Sequence, residues 1–234
     1  MIARFKDLCM DAGDASGLAG FWVRILGGEV VETGDGDARL DVRPGGAGPE
    51  SIWVNQVPEP RTGKTRVHLD VRLADPDPAA LLAAGARLVR EPDAEIGWWV
   101  LADPDGNQFC AFPPGEGKRP GVFELVVDSA DPAAQARWWA GVVGGQVGGE
   151  GEDYAYLTGA AGFPWGSWIF DPVSERKRVK NRVHWDVELT GAEVTAVISA
   201  GATLLREPDD RIGWWVLADP EGNEFCAFPP RPNQ

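Results

Sequence analysis

The chain holds two histidines in 234 residues, and both lie in the same setting. Arg66-Val-His-Leu-Asp-Val71 returns as Arg182-Val-His-Trp-Asp-Val187. Alternate side chains of a strand face opposite sides. His68 and Asp70 therefore share one side, with Val67, Leu69 and Val71 on the other. His184 and Asp186 repeat the pattern against Val183, Trp185 and Val187. Two of the three cysteines recur in the same way. Cys110 shares a face with Gln108 and Phe112, and Cys226 shares one with Glu224 and Phe228. Imidazole, thiol and carboxylate groups can relay protons, attack carbonyl-type carbons or hold a borderline metal. They can equally be the inert wall of a pocket, since a buried cysteine behaves as a small hydrophobe.

Such groups work only if the chain positions them, and here it does so twice. Leu88 to Pro114 returns as Leu204 to Pro230 with five differences in 27 positions. Gly20-Phe-Trp-Val-Arg-Ile-Leu-Gly-Gly28 returns more loosely as Arg137-Trp-Trp-Ala-Gly-Val-Val-Gly-Gly145. The offsets, 116 and 117 residues, suit a domain rather than a solenoid repeat. Domains are expected at 1–115 and 121–234, joined by the Pro/Gly-rich linker 116–120. Within each copy the order is strand, helix, strands, then again strand, helix, strands. First strands are expected over Phe5–Asp11 and Val122–Asp128. Asp14 and Asp131 serve as N-caps of the helices that follow, with Pro132 in a first turn that tolerates it. A second helix spans about Pro78 to Ala84 and stops at Gly85. Thr190-Gly-Ala-Glu193 is a capping-box pattern for its counterpart. A hairpin then pairs Trp98–Ala102 with Asn107–Phe112 across Asp103-Pro-Asp-Gly106.

Three motifs carry a family resemblance: Phe21-Trp-x-x-x-Leu-Gly27, the His-x-Asp strands, and Asp103-Pro-Asp-Gly-Asn-x-Phe-Cys110 with its copy at Asp219–Cys226. With them the chain resembles the vicinal-oxygen-chelate superfamily of glyoxalases, fosfomycin- and bleomycin-resistance proteins and extradiol dioxygenases, in its glyoxalase-like branch. The resemblance covers nearly all of both halves. It implies an α+β fold of two tandem domains, each of paired βαβββ modules that form a cupped mixed sheet with helices outside. Metal-binding members take ligands from the first, fifth and last strands. These places fall here on Asp7, His68 and Cys110, and on Glu124, His184 and Cys226. The cysteines depart from the pattern, because metal-dependent relatives carry glutamate there. Three readings stay open: a site for a divalent ion such as Zn, Ni, Mn or Fe, metal-free catalysis by His and Cys, and a ligand-binding wall that needs no cofactor. One histidine per copy argues against a two-histidine, one-carboxylate dioxygenase centre.

Eleven tryptophans are available to line such cups. Trp22, Trp138 and Trp139 belong to first helices and to the core. Trp98-Trp99 and Trp214-Trp215 are adjacent strand residues, so one member of each pair faces the cup. With Asp70, Gln108, Asp186 and Glu224 they make the expected substrate pockets, suited to a flat, largely apolar molecule. A net charge of −14 disfavours nucleic acid and anionic membrane as partners. No run of apolar residues is long enough to span a bilayer, and nothing near Met1 reads as a signal peptide. Three sparse cysteines indicate reduced thiols and a cytoplasmic setting. The expected function is binding of a small aromatic or apolar molecule in cupped pockets, of the kind that gives natural-product resistance by sequestration. The alternative is a lyase, isomerase or hydrolase using the His/Cys/carboxylate groups. The expected assembly is a monomer with an internal pseudo-dimer, or a homodimer.

Overall fold

A computed structural model describes residues 1–42, 50–191 and 193–230. The first copy runs β1 (Ala3–Ala12), α1 (Ala15–Leu26), β2 (Glu29–Glu32), β3 (Ala38–Val42), β4 (Glu50–Gln56), β5 (Val67–Arg72), α2 (Ala79–Ala84), β6 (Arg87–Arg90), β7 (Trp99–Ala102) and β8 (Gln108–Phe112). The second runs β9 (Gly121–Ser129), α3 (Pro132–Val143), β10 (Gln146–Gly148), β11 (Ala155–Thr158), β12 (Ser167–Pro172), β13 (Val183–Leu189), α4 (Val194–Ser199), β14 (Thr203–Arg206), β15 (Trp215–Ala218) and β16 (Glu224–Phe228). This is the expected α+β order of βαβββ modules.

The strands form two mixed sheets of eight, ordered β14-β15-β16-β13-β1-β4-β3-β2 and β10-β11-β12-β9-β5-β8-β7-β6. The contacts divide into two units. A central unit holds Cys9–Val126, and a terminal unit holds Met1–Leu8 with Val127–Gln234. The first half of β1 therefore belongs with β13 to β16, and the first half of β9 belongs with β5 to β8. Within the central unit β5 and β8 run parallel, with Asp70 opposite Cys110 and Arg72 opposite Phe112. The terminal unit repeats this, with Asp186 opposite Cys226 and Glu188 opposite Phe228.

Local chemistry explains the elements. Asp14 accepts from the Gly17 amide and Asp131 from the Ala134 amide, so both helices start on the capping residues expected. Leu18, Phe21 and Trp22 turn one face of α1 inward. The helices α1 and α3 each end on a glycine pair held at positive φ, Gly27-Gly28 and Gly144-Gly145. A Cβ on Gly28 would lie 2.1 Å from the Asp41 carbonyl oxygen, and one on Gly145 would lie 2.7 Å from that of Thr158. Only glycine lets the returning strand come so close. The capping box at Thr190 does not form. The cap of α4 is Glu193, without a side-chain bond, because the Thr190 hydroxyl and amide both donate to the Ile2 carbonyl.

A carboxylate ties the last hairpin of each copy to its first helix. Buried Asp103 accepts from the Asn107 amide at 2.8 Å and from the Trp22 indole at 3.4 Å. Buried Asp219 accepts from the Asn223 amide, the Trp139 indole and the Gln135 side chain. Burial dominates over these bonds and raises both carboxyls from 3.8 to about 6. Around the ties sit the largest cores. Trp139 packs on Trp168, Trp185 and Phe225, and Trp22 packs on Phe21 and Phe109.

Candidate functional site

In the central unit, β5 and β8 bring His68, Asp70 and Cys110 together, one ligand atom of each lying within 4.8 Å of the others. His68 Nε2 stands 3.7 Å from Cys110 Sγ and 3.5 Å from Asp70 Oδ1. Asp70 is buried, whereas His68 and Cys110 are half-buried. Further along the same face, Trp98 stacks on Phe112 at 4.9 Å, and Phe123 meets Phe112 edge-on at 5.2 Å. The Arg72 guanidinium lies 4.3 Å over the Phe123 ring. One side of this sheet therefore carries, in order, an imidazole, a carboxylate beside a thiol, and three aromatic rings with a cation.

The terminal unit has the same floor with a different cover. His184 is 8% exposed and Asp186 is 5% exposed, with one ligand atom of each within 4.8 Å of the other. The Nδ1 atom of His184 has no hydrogen-bond partner among the described residues. Lys6 is ion-paired with Asp7, lies 3.6 Å from Asp186, and stands 4.2 Å over the Phe228 ring. Trp214 stacks on Phe228 at 5.0 Å. Burial, and then the Asp186 carboxylate, push the Cys226 thiol far above its usual range, which keeps it protonated and a poor nucleophile.

The register settles the tryptophan pairs. Trp99 faces Ala111 and Trp215 faces Ala227 across the hairpins. They therefore point away from Cys110 and Cys226, whereas Trp98 and Trp214 stack on the site side. Trp215 instead lines a groove of about 390 Å³ with Leu189, Val194 and Pro230. Glu224, expected in a pocket, accepts from Lys177 at 2.6 Å and from the Asn181 amide. Gln108 is half-buried at the end of β8.

The first-strand acids are grouped the other way round from the sequence expectation. Asp7 shares a unit with His184, Asp186 and Cys226, and Glu124 shares one with His68, Asp70 and Cys110. Neither acid is a member of the donor cluster at His68. Strict alternation also misplaces Lys6. The buried apolar positions of β1 are Ala3, Phe5, Leu8, Cys9, Met10 and Ala12. Ala3 and Phe5 alternate in one phase and Leu8, Met10 and Ala12 in the other, so the period breaks at Lys6 and Asp7, which pair with each other. The sequence reading missed Lys6, Arg72 and Phe123. A signal for Arg72 was present, since it is the next residue after His68 and Asp70 on their face. Aligning the copies at the first-strand offset, which sets Lys6 against Phe123, would have found the other two.

The three cysteines are free thiols. No helix among the described residues is long and apolar enough to cross a membrane. A family model described as a glyoxalase-like domain matches residues 7–112 and again 124–228. Among solved structures, glyoxalase I from Zea mays is similar at a TM-score of 0.66, with 14% identity over 96% of this chain and 92% of that one. The cppA protein from Streptococcus pneumoniae TIGR4 is similar at 0.51, with 10% identity over 98% of this chain and 100% of that one. At such identities the likeness is one of fold. No curated protein sequence matches the chain.

Proposed function

The chain belongs to the glyoxalase-like domain family, and we propose that it binds a small planar, largely apolar molecule in the central unit and releases it unchanged. Sequestration of this kind would protect against a toxic aromatic compound. One observation carries the reading: Trp98, Phe112 and Phe123 form an aromatic wall on the same face as half-exposed His68 and Cys110. Such a wall offers a flat ligand stacking area, and the neighbouring polar groups fix its orientation. A panel of bicyclic and tricyclic aromatics, titrated against tryptophan fluorescence and then recovered for mass analysis, tests it. Quenching with intact recovery supports the proposal. Chemical change of the compound, or no quenching across the panel, overturns it.

The donor spacing favours a second reading. Separations of 3.5 and 3.7 Å among His68, Asp70 and Cys110 match the edges of a tetrahedron with metal–ligand bonds of about 2.0–2.3 Å. Imidazole, carboxylate and thiolate together suit zinc or another borderline ion. In that case the three side chains would hold the ion, which would supply Lewis acidity to a bound substrate. Elemental analysis of protein purified without chelator tests it. Near-stoichiometric metal that is lost in His68→Ala and kept in His184→Ala supports this reading, and metal-free protein refutes it.

A further inference from the structure

We infer that the molecule bound in the central unit carries an anionic group, a carboxylate or its equivalent, held by Arg72. This rests on the binding reading above and narrows its ligand. Arg72 is the third outward residue of β5 after His68 and Asp70, and it lies directly opposite Phe112. Arg72 is half-buried, with its guanidinium carbon over the Phe123 ring, 4.3 Å from the centroid. A ring under the cation takes none of its N–H groups, so the fork that grips carboxylates keeps donors for a ligand. Among the described residues its one hydrogen bond is a long one, from Nη1 to the Pro113 carbonyl at 3.5 Å.

Among the described residues no carboxylate pairs with this guanidinium, although the chain has 36 acidic residues and a net charge of −14. The surface arginines Arg90 and Arg206, by contrast, are both paired with acids. The equivalent position in the terminal unit is Glu188, which Arg4 approaches to 3.8 Å. The charge is thus inverted between the copies at this position, where the central unit has a cation and the terminal unit an acid. Four residues of strand separate His68 from Arg72, roughly 13 Å at about 3.3 Å per residue. A two- or three-ring aromatic acid fits that length, its rings on Phe112 and Trp98 and its carboxylate at Arg72.

Calorimetric titration with 2-naphthoate and with 2-naphthamide separates charge from shape, since the two differ little except in the anionic group. The wild-type chain should bind the carboxylate about tenfold more tightly than the amide, as a charge-assisted pair to a guanidinium implies. Arg72→Gln should remove that preference, so that the two probes bind with equal affinity. Raising the salt concentration should weaken naphthoate binding alone. Equal affinities for both probes in the wild type, or an unchanged preference in Arg72→Gln, overturns the anion assignment while binding itself stands. Binding of neither probe overturns both.

Discussion

The central and terminal units keep the same His, Asp and Cys floor, yet the groups above it make opposite electrostatic arrangements. In the central unit Phe123 covers the end of the face, and Arg72 rests on it with open donors. In the terminal unit Lys6 takes the place of Phe123, pairs with Asp7 and approaches Asp186. Cys110 and Cys226 are both half-buried. His68, however, is half-exposed near an arginine with open donors, whereas His184 is buried and Lys6 ties Asp7 and Asp186 into an ion network. On the binding reading, a duplicated fold keeps one site for ligand and turns its twin into structure through exchanges at two positions, Phe123 against Lys6 and Arg72 against Glu188. The fold itself does not separate these outcomes, because function lies in the grafted side chains.

The largest test of this contrast is at Lys6. Lys6→Met removes the cation from between two buried carboxylates, and loss of one partner of a buried pair costs about 3–5 kcal/mol. Urea unfolding should show that loss, and adding Asp186→Asn should restore at least half of it. A loss under about 1 kcal/mol would mean that the network does not hold the terminal unit together.

The hairpin ties should instead behave alike in the two units. Asp103 and Asp219 have folded pKa values near 6 against 3.8 unfolded. The folded state thus binds the extra proton. Their contribution is fully present below about pH 4 and is lost as pH rises to about 6. At about 1.4 kcal/mol per pKa unit, each accounts for up to roughly 3 kcal/mol. Asp103→Asn and Asp219→Asn remove that dependence. Each variant should therefore gain stability relative to wild type between pH 4 and pH 6.5, by chemical unfolding. A difference that stays flat with pH would show that the carboxyl is ionised throughout.

The smallest expected effect imposes one copy's pattern on the other. Phe123→Lys places an ammonium beside Phe112 and beside the Arg72 guanidinium, and removes one ring of the wall. Affinity for 2-naphthamide should fall about tenfold, equivalent to about 1.4 kcal/mol. Unchanged affinity would place the aromatic ligand elsewhere.

Much of this was legible in the residues. The His-x-Asp strands, the capping aspartates and the hairpin turns follow from local alternation and turn chemistry, and the structure carries them where expected. Three things were not legible, for physical reasons. The two copies have nearly identical strands, so local pattern cannot say whether β1 joins β5 or β13. A break in period within β1 put Lys6 on the site side, where strict alternation would not place it. Thr190 has the chemistry of a helix cap but is engaged by Ile2, and tertiary contact prevailed over local preference. The tryptophan pairs lie between these cases. Alternation required one ring of each pair to face each way, and only the hairpin register identified Trp98 and Trp214.

The place of β1 has a consequence in time. Ile2 bonds to Thr190 and to Val142, and Lys6 completes its network with Asp186. As the chain leaves the ribosome, β1 precedes β13 by some 180 residues, so the terminal unit cannot close until β13 to β16 have been made. Contacts so distant in sequence slow folding and leave strand edges open meanwhile. At about 5–20 residues per second, that interval is on the order of ten seconds or more. During it the nascent chain carries an unpaired edge that its own second copy must eventually cover.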